Sequence, residues 1–366
     1  MSRIVIAPDS FKGTATAADA ARAIARGWHA IRPHDEVVLR PMADGGEGTL
    51  DAFAVAVPDA VRMPVTVRGP DSAPVTTEWL LLPGPRRSAV VELASTSGIT
   101  LLDPPAPFDA HTFGFGEAIG AALDRRVDRL LLALGGSAST DGGVGALSAL
   151  GGRFLDSERR PIALGNRGLG ALAHIDLSAL RALPCGGAVA LSDVTNPLLG
   201  PSGAASVFGH QKGATPDDVV VLEANLARLS RLTTMADPAM PGAGAAGGAA
   251  FGLLAWGARL TPGSAAVGDA LGVPDAIATA SALITGEGRF DGQSLDGKVP
   301  SYLLGVAADA GIPVMLAAGA IDGDSSAFAD AASLTELAGS VAAAKDRPLD
   351  WLEAAGARLA IEYRGS

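Results

Sequence analysis

Four places in the chain bring carboxylates together with glycines, amides or cations. They are Asp9-Ser10-Phe11-Lys12-Gly13, Asp44-Gly45-Gly46-Glu47-Gly48, Ser192-Asp193-Val194-Thr195-Asn196-Pro197 and Gly286-Glu287-Gly288-Arg289-Phe290-Asp291. Carboxylates hold hard cations, Lys and Arg offset phosphate charge, and glycines let backbone approach a ligand closely. Together these are the parts a magnesium–nucleotide site requires. Any one cluster could be a helix cap or a turn, and Asp9 and Asp44 are both fair N-cap candidates. A fifth stretch, 130–152, has its own logic. An apolar run at 130–134 is followed by Gly135, Gly136, Ser137, Ala138, Ser139, Thr140, Asp141, Gly142 and Gly143, and then by Val144, Leu147 and Leu150 at helical spacing. A glycine- and hydroxyl-rich turn between strand and helix can cradle a phosphate or carboxylate on converging N–H groups.

The elements that must position these clusters alternate between strand and helix. Apolar runs predict strands at 4–6, 36–42, 61–67, 75–82, 89–93, 130–134, 188–191, 283–284 and 314–317. Helical stripes predict helices at 16–31 (Ala20, Ile24, Trp28, Ile31), 50–57, 115–125, 217–232 (Val220, Leu222, Leu226, Leu229), 302–310 and 349–361. Such βα alternation defines an α/β protein, whose ligands sit beyond the carboxyl ends of the strands. The four clusters fall at predicted strand ends.

Composition narrows the function. A chain of 366 residues fits two domains. With 48% hydrophobic but only 4% aromatic residues, the core must be built from Ala, Val, Leu and Ile. A net charge of -11 argues against nucleic-acid binding and against an anionic membrane surface. The single cysteine, Cys185, rules out an internal disulfide and fits a cytoplasmic protein. The uncharged stretch 238–258 carries too many glycines and prolines for a membrane helix and reads as a buried loop and helix. Two motif matches fail. Gly242-Ala243-Gly244-Ala245-Ala246-Gly247 has the letters of a dinucleotide fingerprint, but Pro238 and Pro241 occupy the place of its strand. Gly292 to Lys298 has the spacing of a P-loop until Val299 stands where Ser or Thr should meet magnesium, although Lys298 could still reach a phosphate. The five histidines show no metal spacing.

Longer motifs then carry a resemblance. Residues 7–13, 41–49, 134–143, 193–201, 208–214, 241–248 and 285–289 (APDSFKG, PMADGGEGT, LGGSASTDGG, DVTNPLLGP, FGHQKGA, PGAGAAGG, TGEGR) resemble, in order, the motifs of bacterial ATP-dependent glycerate kinases. The similarity runs from residue 3 to about residue 320, with Ser139 and His210 where relatives often carry Thr and Pro. It implies two α/β domains with a cleft between them. One is Rossmann-like and formed by both chain ends, 1–90 plus 285–366, and the other, 91–284, is inserted. It further implies ATP- and Mg²⁺-dependent phosphorylation of D-glycerate, with 2-phosphoglycerate favoured over 3-phosphoglycerate, by a monomer or homodimer. On that reading Lys12, Arg289 and Lys298 offset charge on the phosphoryl group and the substrate, and Arg289 can grip a carboxylate through two hydrogen bonds. Asp44, Glu47 and Glu287 are the expected metal ligands. Gly135, Gly136, Ser137 and Ser139, with Ser10 and Asn196, hold an anionic group, either nucleotide phosphate or glycerate carboxylate. Asp193 orients the attacking hydroxyl and takes its proton; a local turn into Pro197 is its alternative role. A kinase for another small hydroxy acid, and a nonenzymatic anion or nucleotide sensor of the same fold, are the rival readings.

Overall fold

A computed structural model describes residues 1–11, 13–292, 294 and 299–364. Thirteen strands lie among the described residues. They are β1 (Arg3–Pro8), β2 (Glu36–Leu39), β3 (Val61–Arg68), β4 (Pro74–Leu82), β5 (Ser88–Glu92), β6 (Arg129–Ala133) and β7 (Arg153–Leu155). After them come β8 (His174–Asp176), β9 (Ala188–Leu191), β10 (Arg259–Thr261), β11 (Ala282–Phe290), β12 (Val314–Ile321) and β13 (Asp330–Ser333). The protein is of the α/β class and divides into two compact units, Met1–Asp44 with Asp51–Pro58 and Ser264–Ser366, and Gly45–Leu50 with Asp59–Gly263.

The first unit is built on a five-stranded sheet of order β13-β12-β11-β1-β2, parallel throughout. Its central strand β1 carries Ile4, Val5 and Ile6 fully buried, as expected of a strand covered on both faces. The helix Ala17–Ile31 opens where the Thr16 hydroxyl accepts the Asp19 N–H at 3.0 Å. Ala20, Ile24 and Trp28 form its buried stripe, but Ile31, expected on the same face, is exposed because the helix ends there. That face shares a core with Leu352, Ala355 and Leu359 of the helix Pro348–Glu362. Truncating a buried leucine such as Leu352 to alanine costs about 2–5 kcal/mol.

The second unit holds a mixed sheet of order β10-β9-β6-β5-β4-β3, in which β3 and β4 are antiparallel additions to a parallel centre. A small antiparallel pair, β7 and β8, stands apart from it. The helix Pro216–Leu232 begins in a reciprocal cap between Thr215 and Asp218 and buries Leu222, Leu226 and Leu229. Val220, expected on or near that face, points to solvent. The uncharged stretch ends in the helix Ala249–Trp256, seven of whose residues are buried, so it is core. Among the described residues no helix is long and apolar enough to cross a membrane.

Strand pairing moves the expected domain limits. Residues 59–90 sit in the second unit because β3, β4 and β5 hydrogen-bond in series onto β6. Residues 264–284 sit in the first, since β11 pairs with β1 and β12. Spacing along a sequence reveals strands but not which sheet each one joins.

Candidate active site

In the first unit, β2 lies on one side of β1 while β11, β12 and β13 succeed one another on the other. The topological switch point is therefore between β1 and β11, where open α/β sheets bind ligands. A cavity of about 630 Å³ opens there, and Asp9, Ser10, Asp44, Glu287, Arg289, Asp291 and Asp322 all line it. That size suits a nucleotide or other drug-sized ligand.

The central strands build this cavity by outrunning their neighbours. The last β1 partner of β11 is Pro8, paired with Gly286, yet β11 continues beside β12 as far as Phe290 opposite Ile321. The 286–291 cluster was expected to follow a strand ending at 284. Most of it lies inside the strand instead, because β12 supplies ladder partners for Glu287 and Arg289 at Ala318 and Ala320. Strand periodicity puts Glu287 and Arg289 on one face, both lining the cavity, and turns Phe290 to the other. Phe290 is buried there, edge-on to Phe328 at 5.3 Å. The overrun depends on glycine: a Cβ on Gly319 would stand 2.2 Å from the Gly288 carbonyl oxygen.

Among the described residues the cavity lining is acidic. Five carboxylates (Asp9, Asp44, Glu287, Asp291, Asp322) line it against two cations, Arg289 and Lys345, among the described residues. That excess of carboxylate favours an anionic ligand that brings a cation with it. Arg289 is largely exposed and its Nε donates to Asp322 Oδ2 at 2.7 Å. Asp9 Oδ1 accepts the Ser10 N–H at 2.6 Å. Lys12 and Lys298, two of the three expected cations, lie outside the described residues. Among those described, no group of three or more His, Cys, Asp or Glu is placed to hold a metal ion by itself. Magnesium commonly needs only one or two carboxylates with phosphate and water, so hard oxygens at Asp44 and Glu287 still fit it. Glu47 belongs to the second unit and is exposed.

In the second unit the loop after β6 has the expected strand–turn–helix form, leading into the helix Val144–Ala149. Its polar groups, however, serve the loop itself. Asp141 is fully buried and its carboxylate accepts the N–H groups of Thr112, Gly143 and Gly145 and the Thr112 hydroxyl. Of the N–H groups at the helix start, those of Gly143 and Gly145 are thus taken by a side chain of the same loop, and that of Ala146 by the Thr112 hydroxyl. Ser137 and Ser139 share a hydrogen bond at 3.1 Å, and Ser137 Oγ also accepts the Ser139 N–H. Ser139 is fully buried. Its carbonyl accepts from the buried Lys212 ammonium, whose pKa is pushed down to about 7 by burial, against the pull of Asp141. Gly136 is the exposed part of the turn. Gly135 donates to Gly45 O at 2.9 Å, and a Cβ there would meet Gly46 Cα at 2.4 Å.

Asp193 follows β9, and its Oδ1 accepts the Gly263 N–H at 2.7 Å, a contact seventy residues away in sequence. Asn196 Nδ2 donates to Ser202 O at 2.8 Å, which closes the loop that starts with Pro197. Sequence reasoning gave no site role to Asp141, Lys212, Asp322, Thr335 or Lys345. The strand-end rule alone would have found Asp322, which directly follows β12. Thr335 and Lys345 had no such signal, because β13 is only Asp-Ala-Ala-Ser and the helix Val341–Asp346 is six residues long and half alanine.

A parallel α/β unit with an acidic crevice at its switch point is the build of an enzyme that handles a small, cation-accompanied anion. The Glycerate kinase family model matches residues 4–363, well past the segment that carries the motifs. The glycerate kinase of Bacillus subtilis strain 168 is 41% identical over 336 residues, 89% of this chain and 87% of that one. The glycerate 2-kinase of Escherichia coli K12 is 39% identical over 331 residues, 88% of this chain and 86% of its own. The crystal structure of a chain assigned as glycerate kinase 2 from Salmonella typhimurium LT2 superimposes with a TM-score of 0.84 at 36% identity, covering 98% of this chain and 97% of that one. The chain belongs to the glycerate kinase family and is an enzyme of that kinase class.

Proposed function

We propose that the protein transfers the γ-phosphoryl group of ATP, with Mg²⁺, to the C2 hydroxyl of D-glycerate, giving 2-phosphoglycerate and ADP. The single observation that carries the reading is the carboxylate crevice at the switch point, in a chain of this family. The E. coli relative is named a glycerate 2-kinase, which favours C2 over C3.

Phosphoryl transfer asks a protein for position and charge neutralisation more than for covalent chemistry. In the mechanism we favour, Asp193 accepts the proton of the attacking hydroxyl as the O2–P bond forms and the bond from phosphorus to the bridging oxygen of ADP breaks. Arg289 exchanges Asp322 for the glycerate carboxylate, which its planar fork can bind bidentately. Asp44 and Glu287 would hold the magnesium, with Glu47 the further candidate. When bound, that ion offsets charge on the phosphates. Lys12 and Lys298 add positive charge at the phosphoryl group. Gly135 and Gly136 present the open edge of the second unit's loop to an anionic group, while Ser137 and Ser139 keep that edge in shape. Ser10 and Asn196 complete the polar set.

The test is ADP release with Mg-ATP and a panel of hydroxy acids. Release with D-glycerate well above release with lactate or with longer hydroxy acids supports the reading. Preference for a longer acid keeps the chemistry and moves the substrate. ATP binding without release for any acid is the result expected of a sensor.

A further inference from the structure

The cavity of the first unit changes character along its length. Asp9, Asp44 and Glu287 lie at the β1–β11 end. Beyond the ends of β12 and β13 its wall becomes apolar, made by Leu334, Val341, Ala344 and Pro348, with Thr335 and Lys345 as the polar groups among them. Leu334 and Ala344 are the buried part of this wall, whereas Val341 is 52% exposed, an apolar side chain left facing the opening. The Thr335 hydroxyl donates to Gly319 O at 2.7 Å, so its own lone pairs remain able to accept.

We propose that this apolar end takes the nucleoside of the phosphoryl donor, with the base against Val341, Ala344 and Pro348 and the phosphates running toward Asp44 and Glu287. The proposal rests on the kinase reading of the same cavity. Three observations carry it. A nucleoside triphosphate has a flat, largely apolar ring at one end and a metal-requiring polyanion at the other, and the cavity has the same asymmetry. Glycerate, with three carbons all bearing oxygen, would gain nothing from an apolar wall and would fill little of about 630 Å³. The nucleoside end also lies beyond the carboxyl ends of β12 and β13, on the side of the switch point where successive parallel strands continue.

The experiment measures Mg-ATP affinity of the full chain by equilibrium dialysis, without glycerate, and the glycerate KM at saturating Mg-ATP. Val341→Glu places a charge where the base would lie, on an exposed position that folding tolerates; Ala344→Trp fills the same space, and thermal melting checks that each variant is folded. Each should weaken Mg-ATP binding at least about tenfold while glycerate KM stays within about twofold. Free adenosine should compete with ATP in the wild type and lose that competition in Val341→Glu. Undiminished Mg-ATP affinity in both folded variants, or a raised glycerate KM instead, overturns the assignment. If Mg-ATP binds with the expected sensitivity but no phosphoryl group reaches glycerate, the nucleoside assignment stands and the kinase reading fails. If transfer occurs and the variants bind Mg-ATP normally, the reverse holds.

Discussion

Lys212 offers a prediction whose size follows from the structure. The residue is 2% exposed, its ammonium donates to the Ser139 carbonyl, and burial pushes its pKa from 10.5 down to about 7. A lysine whose folded pKa is depressed binds its proton more tightly in the unfolded chain. Stability must therefore rise with pH between the folded value and the unfolded one, at about 1.4 kcal/mol per unit where the two states differ by a full proton. Below about pH 7 both states are protonated and the whole burial penalty is present; above about pH 10.5 both are neutral and it is gone. Integrating between pH 7 and pH 9 gives a gain of about 2 kcal/mol from this one group. Other titrating groups contribute over the same range, so the quantity to measure is a difference. Urea unfolding of the wild type and of Lys212→Met at both pH values isolates it. The wild type should gain about 2 kcal/mol more than the variant across that interval, whatever the offset between them at pH 7. Equal gains in the two proteins would refute the reasoning, showing that Lys212 is solvated or compensated as a charged group.

Asp193→Asn should lower turnover roughly a hundredfold or more. Its melting temperature should stay near wild type, because an amide oxygen can still accept the Gly263 N–H; near-normal turnover would remove Asp193 as the base. Arg289→Lys should raise the glycerate KM about tenfold by replacing a bidentate grip with a point charge. A rise confined to the ATP KM would assign Arg289 to the nucleotide. Dialysis against a chelator should abolish ADP formation, and added Mg²⁺ should restore it; full activity after exhaustive chelation would remove the metal from the mechanism.

Much of the fold was readable because its strands are long apolar runs. Ile4-Val5-Ile6, the run at 130–134 and the run at 188–191 all became parallel strands, and their polar followers stand where α/β sheets bind ligands. The parts missed share a physical cause. β13 is small and polar, β7 and β10 have three residues each, and such strands are held by their neighbours rather than by their own periodicity. The division into units was misplaced because pairing is a long-range property. The glycine-rich loop shows the same limit at the level of chemistry. Ser137, Ser139 and Asp141 have the residue types of an anion cradle, and only their hydrogen bonds reveal how far those groups are turned inward. Lys212 sits in the motif at 208–214, yet no local pattern announces a lysine buried against a carbonyl seventy-three positions away.

Phosphorus NMR of the product formed from Mg-ATP and D-glycerate tests the central claim most directly. A phosphate on the C2 oxygen couples to one carbon-bound proton and gives a doublet, whereas one on C3 couples to two and gives a triplet. The account predicts ADP together with a single new doublet. A triplet would contradict the position of transfer, and the absence of any new phosphate ester, with the chain folded and Mg-ATP bound, would contradict the kinase assignment itself.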